Sequence, residues 1–105
     1  LAALVMGARG AVGSSYCFAA PLYRRLWAAF ERGDIEAARA EQMRSCRLVQ
    51  TLVRYGYMGA AKALMGMLGV AVGPARLPNL TPSAGQVAAL RQDLEAIGYF
   101  EWGRK

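Results

Sequence analysis

The feature that most constrains the fold is one short apolar run, Ala11-Val12, set between helix-like segments. Around it, Gly10-Ala11-Val12-Gly13-Ser14-Ser15-Tyr16 reads as a buried strand ending in a small-residue turn that presents two hydroxyls and a phenol. A strand flanked by helices on both sides points to an α/β layer architecture rather than a bundle. A lone strand leaves backbone donors and acceptors unpaired along both edges. Its partners are therefore expected outside this sequence, and the chain reads as the back end of a longer enzyme. The opening at Leu1, inside a helix-like pattern with Leu4 and Val5, points the same way.

The rest of the chain reads as helices punctuated by glycine. Leu1 to Gly7 reads as the last turns of a helix, with Gly7 as its C-terminal stop. A segment from Ala19 to Glu31 follows, opened by Pro21 at a position that tolerates it. Gly33 stops it and Asp34 caps the next, which runs from Ile35 to about Tyr55. Its apolar stripe reads Ile35, Ala38, Gln42, Cys46, Val49, Val53, at steps of three and four. Arg39, Arg44, Arg47 and Arg54 lie opposite as a solvated face. A shorter helix spans Gly59 to Leu68 and ends at Gly69. Two prolines keep Gly73 to Pro78 out of regular structure. A last helix is capped by Thr81, with Pro82 first, Val87, Leu90, Leu94 and Ile97 on its inner face, and Gly98 at its end.

Composition excludes several classes. The 105 residues allow at most one domain, and 55% apolar with 19% charged residues suits a globular chain. The net charge of +6 is spread among Glu31, Asp34, Glu36 and Glu41 and forms no basic run. Nucleic-acid binding needs a clustered stripe or a stacking platform, so it is not expected. The absence of histidine removes the commonest general base and most zinc sites, and no metal or cofactor is expected. Cys17 and Cys46 lie in different segments with no CxxC pairing, and read as reduced cytosolic thiols buried as small filler. The apolar stretch Ala63 to Val72 falls short of the about 20 residues a membrane span requires, so no membrane association is expected.

The candidate chemistry lies at the turn. The last strand of a β/α barrel delivers polar side chains to the active-site face in this way. Ser14 reads either as a helix or turn cap or as the candidate for binding a substrate hydroxyl or carboxylate, with Ser15 adjacent and Gly13 allowing close backbone approach. A nucleophilic serine is not expected: there is no histidine base, and Gly-Ser-Ser is not a Gly-x-Ser-x-Gly elbow. Tyr16 reads as a packing residue with its hydroxyl toward water. Lys62 sits in apolar surroundings that would suit a Schiff base. The preferred reading is a helix lysine whose stem lies on apolar surface while its head reaches water. The other lysine, Lys105, is terminal.

These residues carry a family resemblance. Gly10 to Tyr16 resembles the last barrel strand of the N-acetylneuraminate lyase family, whose pattern is Gly-(Ala/Gly)-(Val/Ile)-Gly-Ser-Thr-Tyr-Asn. The resemblance continues through Phe30-Glu31-Arg32-Gly33-Asp34-Ile35-Glu36-Ala37-Ala38-Arg39, similar to the family's helix-Gly-Asp-helix junction. It extends to Lys62-Ala63-Leu64-Met65 and to Gly73-Pro74-Ala75-Arg76-Leu77-Pro78, similar to the vertebrate members. The resemblance implies the C-terminal part of a (β/α)8 TIM barrel, its last strand and helix over 1–32, followed by a C-terminal helical extension over 33–105.

It further implies a cytoplasmic, homotetrameric class I aldolase of sialic acid degradation. Such an enzyme cleaves N-acetylneuraminate to N-acetylmannosamine and pyruvate through a lysine Schiff base, with no separate cofactor. Ser14 would contact the sugar, while the lysine and the catalytic tyrosine would lie upstream, leaving this segment inactive alone. Ser15 stands where the family has threonine and keeps the hydroxyl. Cys17 stands for asparagine and loses an amide. A sister pyruvate-dependent aldolase such as dihydrodipicolinate synthase is the alternative, as is a non-catalytic helical interaction piece.

Overall fold

The computed structural model describes residues 1–103; Lys105 lies outside the described residues. These are helical, with six helices and no strand among them. They are α1 (Ala2–Val5), α2 (Tyr16–Glu31), α3 (Ile35–Arg54), α4 (Tyr57–Met67), α5 (Ala84–Ala96) and α6 (Tyr99–Trp102). The chain divides into two compact units, residues 1–46 with the segment from Glu101, and residues 47–100.

The expected strand is not formed. Residues 8–13 have no regular structure, and Val12 is fully exposed. The described residues are thus mostly helical, as the pattern outside the motif indicated, and no α/β layer forms among them. The cause is the one that made the strand informative: a ladder needs a partner, and no described residue supplies one.

In the first unit, Gly7 reverses the chain at φ +91° after α1, a conformation open to glycine and costly to other residues. The helix expected to open near Pro21 begins earlier, at Tyr16, and is kinked where Ala19 leaves the helical region at φ −136°, ψ 23°. Pro21 lies just past that kink, so the sequence signal marked the second, straight part of α2. Phe18, Ala19, Leu22, Leu26 and Ala29 form its buried stripe. Asp34 Oδ1 accepts from the Ala37 amide at 3.0 Å, the cap expected for α3.

The buried face of α3 shares Ala38 with the expected stripe but otherwise departs from it. Ala38, Glu41 and Ser45 are buried in the first unit, and Leu48, Thr51 and Leu52 in the second. Ile35 (45% exposed) and Val53 (58%) point outward. Both faces repeat at steps of three and four, so periodicity alone could not choose between them. Polar partners for Glu41 and Ser45 decide it. Cys17 and Cys46 are exposed rather than buried filler. Cys46 belongs to the outer stripe of α3, where Gln42 Nε2 lies 3.6 Å from its sulfur.

In the second unit α4 packs on α5, with Ala60, Ala61, Leu64, Leu90 and Leu94 buried. The contact is close at Gly59. A Cβ there would overlap the Leu80 carbonyl oxygen and come 2.7 Å from Pro82 Cδ. The cap of α5 is Ser83 rather than Thr81: its hydroxyl accepts from the Gln86 amide while the Gln86 side chain accepts from the Ser83 amide. This reciprocal pair satisfies two first-turn donors at once, which Thr81 cannot do. Tyr99 is buried, meets Phe100 edge-on, and Arg91 lies over the Phe100 ring.

Candidate functional site

The turn at residues 13–15 sits at the start of α2 and is closed by the Tyr16 amide on the Gly13 carbonyl at 3.3 Å. Gly13 and Ser14 are exposed and Ser15 is half-buried. Ser15 holds the N-cap position of α2 but makes no side-chain cap bond. Its Oγ lies 2.7 Å from the Tyr23 hydroxyl, which lies 2.8 Å from Ser45 Oγ. Tyr16 packs its ring edge-on against Tyr23, 4.5 Å between centroids, and Gly13 lies against the Tyr16 ring. The packing reading of Tyr16 therefore stands.

An open cavity of about 480 Å³ adjoins this cluster, walled by Leu4, Gly10, Ala11, Tyr16, Tyr23 and Trp27 among others. Ser14 is not on its lining. The structure thus joins part of the predicted motif to an apolar hollow whose lining does not include the predicted serine.

Behind the turn, Glu41 forms the strongest ionic cluster of the first unit. Arg25 reaches it with two nitrogens, Nε at 3.2 Å and Nη2 at 3.1 Å, and Arg44 joins from the next turn of α3. Arg25 Nη2 also donates to the Trp102 carbonyl at 2.9 Å. Such forked pairing holds α2 on α3 at a fixed angle. Sequence reasoning missed Tyr23, Arg25 and Ser45. Only the i,i+3 spacing of Glu41 and Arg44 was a visible signal.

In the second unit, Lys62 Nζ donates to the Val72 carbonyl at 3.2 Å, as suits a lysine whose head leaves the apolar surface. The Tyr55 hydroxyl donates to Asp93 at 2.7 Å, and that hydrogen bond raises its pKa above the usual 10.0. Among the described residues, no group of three or more His, Cys, Asp or Glu comes together as a metal site. None of the described helices is long and apolar enough to cross a membrane.

Comparison with known proteins places this geometry in context. The profile of the Dihydrodipicolinate synthetase family matches residues 1–97. The chain is 39% identical over 97 residues, 92% of its length, to N-acetylneuraminate lyase of Rhizobium meliloti. It is 33% identical over 95 residues, 90% of its length, to 4-hydroxy-tetrahydrodipicolinate synthase of Corynebacterium diphtheriae. It covers 32% of each of these relatives. The solved Proteus mirabilis N-acetylneuraminate lyase matches 93% of the chain with a TM-score of 0.86 and 35% identity, over 33% of its own chain. The chain therefore spans about a third of the length of the proteins it resembles.

Proposed function

The chain belongs to the Dihydrodipicolinate synthetase family, and on that premise we propose that it is the C-terminal third of an N-acetylneuraminate lyase. The observation that carries the reading is the joint likeness, in sequence and in backbone, to N-acetylneuraminate lyases along nine-tenths of the chain, the Gly10–Tyr16 motif included. In the complete protein, residues 10–14 pair as the last strand of a (β/α)8 barrel, and the rest of the barrel fills the apolar cavity beside Tyr16 and Tyr23. Residues 1–32 then end the barrel and 33–105 extend it. The pairing also gives residues 10–12 the ladder partners that a strand needs.

On this reading the complete enzyme cleaves N-acetylneuraminate to N-acetylmannosamine and pyruvate. It does so through a Schiff base on a lysine outside this segment, without a metal, as a cytoplasmic homotetramer. Ser14 contributes a hydroxyl to the sugar portion of the substrate, flanked by Gly13 and Ser15. A turn at the end of a barrel strand is where such contacts are made.

The test is expression of the complete protein with assays for pyruvate release from N-acetylneuraminate and for borohydride trapping of pyruvate. Cleavage, with an adduct on a lysine outside this segment, is the expected result. An adduct on Lys62 overturns the assignment of roles. The relationship to 4-hydroxy-tetrahydrodipicolinate synthase supports one rival. It predicts no cleavage of N-acetylneuraminate, with condensation of pyruvate and an amino-acid semialdehyde instead.

A further inference from the structure

We infer that Tyr23 is a positioning residue for Ser14: its phenol, backed by Ser45, clamps Ser15 and so fixes the turn from which Ser14 is presented. The role rests on the lyase reading above, whereas the clamp rests on geometry alone. A serine at the N-cap ordinarily accepts from a first-turn amide. Ser15 makes no such bond, and its hydroxyl instead lies 2.7 Å from the Tyr23 hydroxyl. The phenol oxygen is in turn 2.8 Å from the hydroxyl of Ser45, which is buried on α3. Three hydroxyls in series tie the turn to the second turn of α2 and to the middle of α3.

Either member of each pair can be the donor, and the phenol oxygen is common to both bonds. Removing the phenol oxygen unpairs both serines together. The aromatic rings hold the same turn from its other side. Tyr16 meets Tyr23 edge-on, and a Cβ on Gly13 would lie 3.3 Å from Tyr16 Cε2. The turn's own closing bond is long, 3.3 Å from the Tyr16 amide to the Gly13 carbonyl. The hydroxyl series and the ring pair therefore hold the turn at residues 13–15, from which Ser14 projects.

The experiment uses the complete protein. Tyr23→Phe keeps the ring and its contact with Tyr16 and deletes only the oxygen. The expected result is a rise in KM for N-acetylneuraminate of about two- to tenfold, the loss of aim of one hydrogen bond. The kcat for cleavage and the trapping of pyruvate stay near wild type, and the Ser14 and Ser15 amides exchange faster. Ser45→Ala reproduces the change, as does Ser15→Ala, while Ser15→Thr restores the wild-type KM. A merely structural hydroxyl would lower the melting temperature and leave KM alone. Cleavage with unchanged KM in both Tyr23→Phe and Ser15→Ala overturns the positioning role and spares the lyase reading. A wild type that does not cleave N-acetylneuraminate overturns the lyase reading and the role with it. Unchanged amide exchange at Ser14 and Ser15 in Tyr23→Phe overturns the clamp under either outcome.

Discussion

Gly59→Ala is expected to destabilise the second unit, against the usual effect of this substitution in a helix. An interior helical glycine replaced by alanine ordinarily gains about 0.5–1 kcal/mol, because glycine loses more backbone freedom on folding. Gly59 is buried on α4, and its new methyl would overlap the Leu80 carbonyl oxygen and lie 2.7 Å from Pro82 Cδ. Neither neighbour is the free end of a flexible side chain, so the segment carrying Leu80 and Pro82 has to move off α4. Overpacking of this kind costs about 1–3 kcal/mol, which exceeds the helix gain. The net expectation is a loss of about 1 kcal/mol, or about 4–8 °C in melting temperature. Gly66→Ala is the internal control: Gly66 lies on the same helix, is exposed, and has nothing within 4 Å of its Cβ position. It should gain about 0.5–1 kcal/mol. Thermal and urea unfolding of both variants measure the difference in sign. Equal gains in the two variants would refute the close approach of residues 80–82 to α4.

Four further outcomes are expected. Tyr55 has a raised pKa because its hydroxyl donates to Asp93. Above the usual 10.0, the unfolded chain gives up this proton before the folded one, so unfolding releases a proton and stability falls as pH rises. Urea midpoints should hold steady below pH 10, the unfolded value, and decline above it, and Tyr55→Phe should lessen the decline. Glu41→Ala leaves Arg25 and Arg44 without their carboxylate and should cost about 1–3 kcal/mol in urea unfolding. Glu95→Ala, which breaks an exposed pair with Arg91, should cost less than about 0.5 kcal/mol. In the complete enzyme, Ser14→Ala should lower kcat/KM for N-acetylneuraminate by about two- to tenfold with pyruvate trapping intact; lost trapping in a folded variant would contradict a sugar-binding role.

What the sequence made legible were the helix stops and the interior apolar spacing. Gly7, Gly33, Gly69 and Gly98 all read as terminators, and all four adopt positive φ. That signal is strong because it is local: a residue without a Cβ is recognisable whatever packs around it. Leu90 and Leu94 were likewise placed on the inner face of the last helix, where they are fully buried. Ser83 was readable too, since Ser-x-x-Gln ahead of a helix is a capping box, but Thr81-Pro82 gave a competing signal two residues earlier.

The misreadings share a different cause, which is that the deciding partner is remote in sequence. Glu41 lay outside the expected inner stripe, yet it is buried, with Arg25 on another helix reaching it through two nitrogens. Ser45 carried no functional signal until Tyr23 placed its hydroxyl 2.8 Å away. With those two polar residues turned inward, Ile35, Cys46 and Val53 had to turn out, and the outer stripe of α3 became the more apolar of its two candidate faces. Residues 10–14 are the limiting case. Their composition specifies a strand and a turn, but a strand is a property of a pair of segments, and one segment supplies only half of each ladder bond. The turn survives without the pair because its restraints are short-range or come from α2 and α3: Ser15 to Tyr23, Tyr23 to Ser45, and Gly13 against Tyr16. The turn at residues 13–15 is therefore held by helices within this segment, whereas a strand at residues 10–12 would need a ladder partner that no described residue supplies.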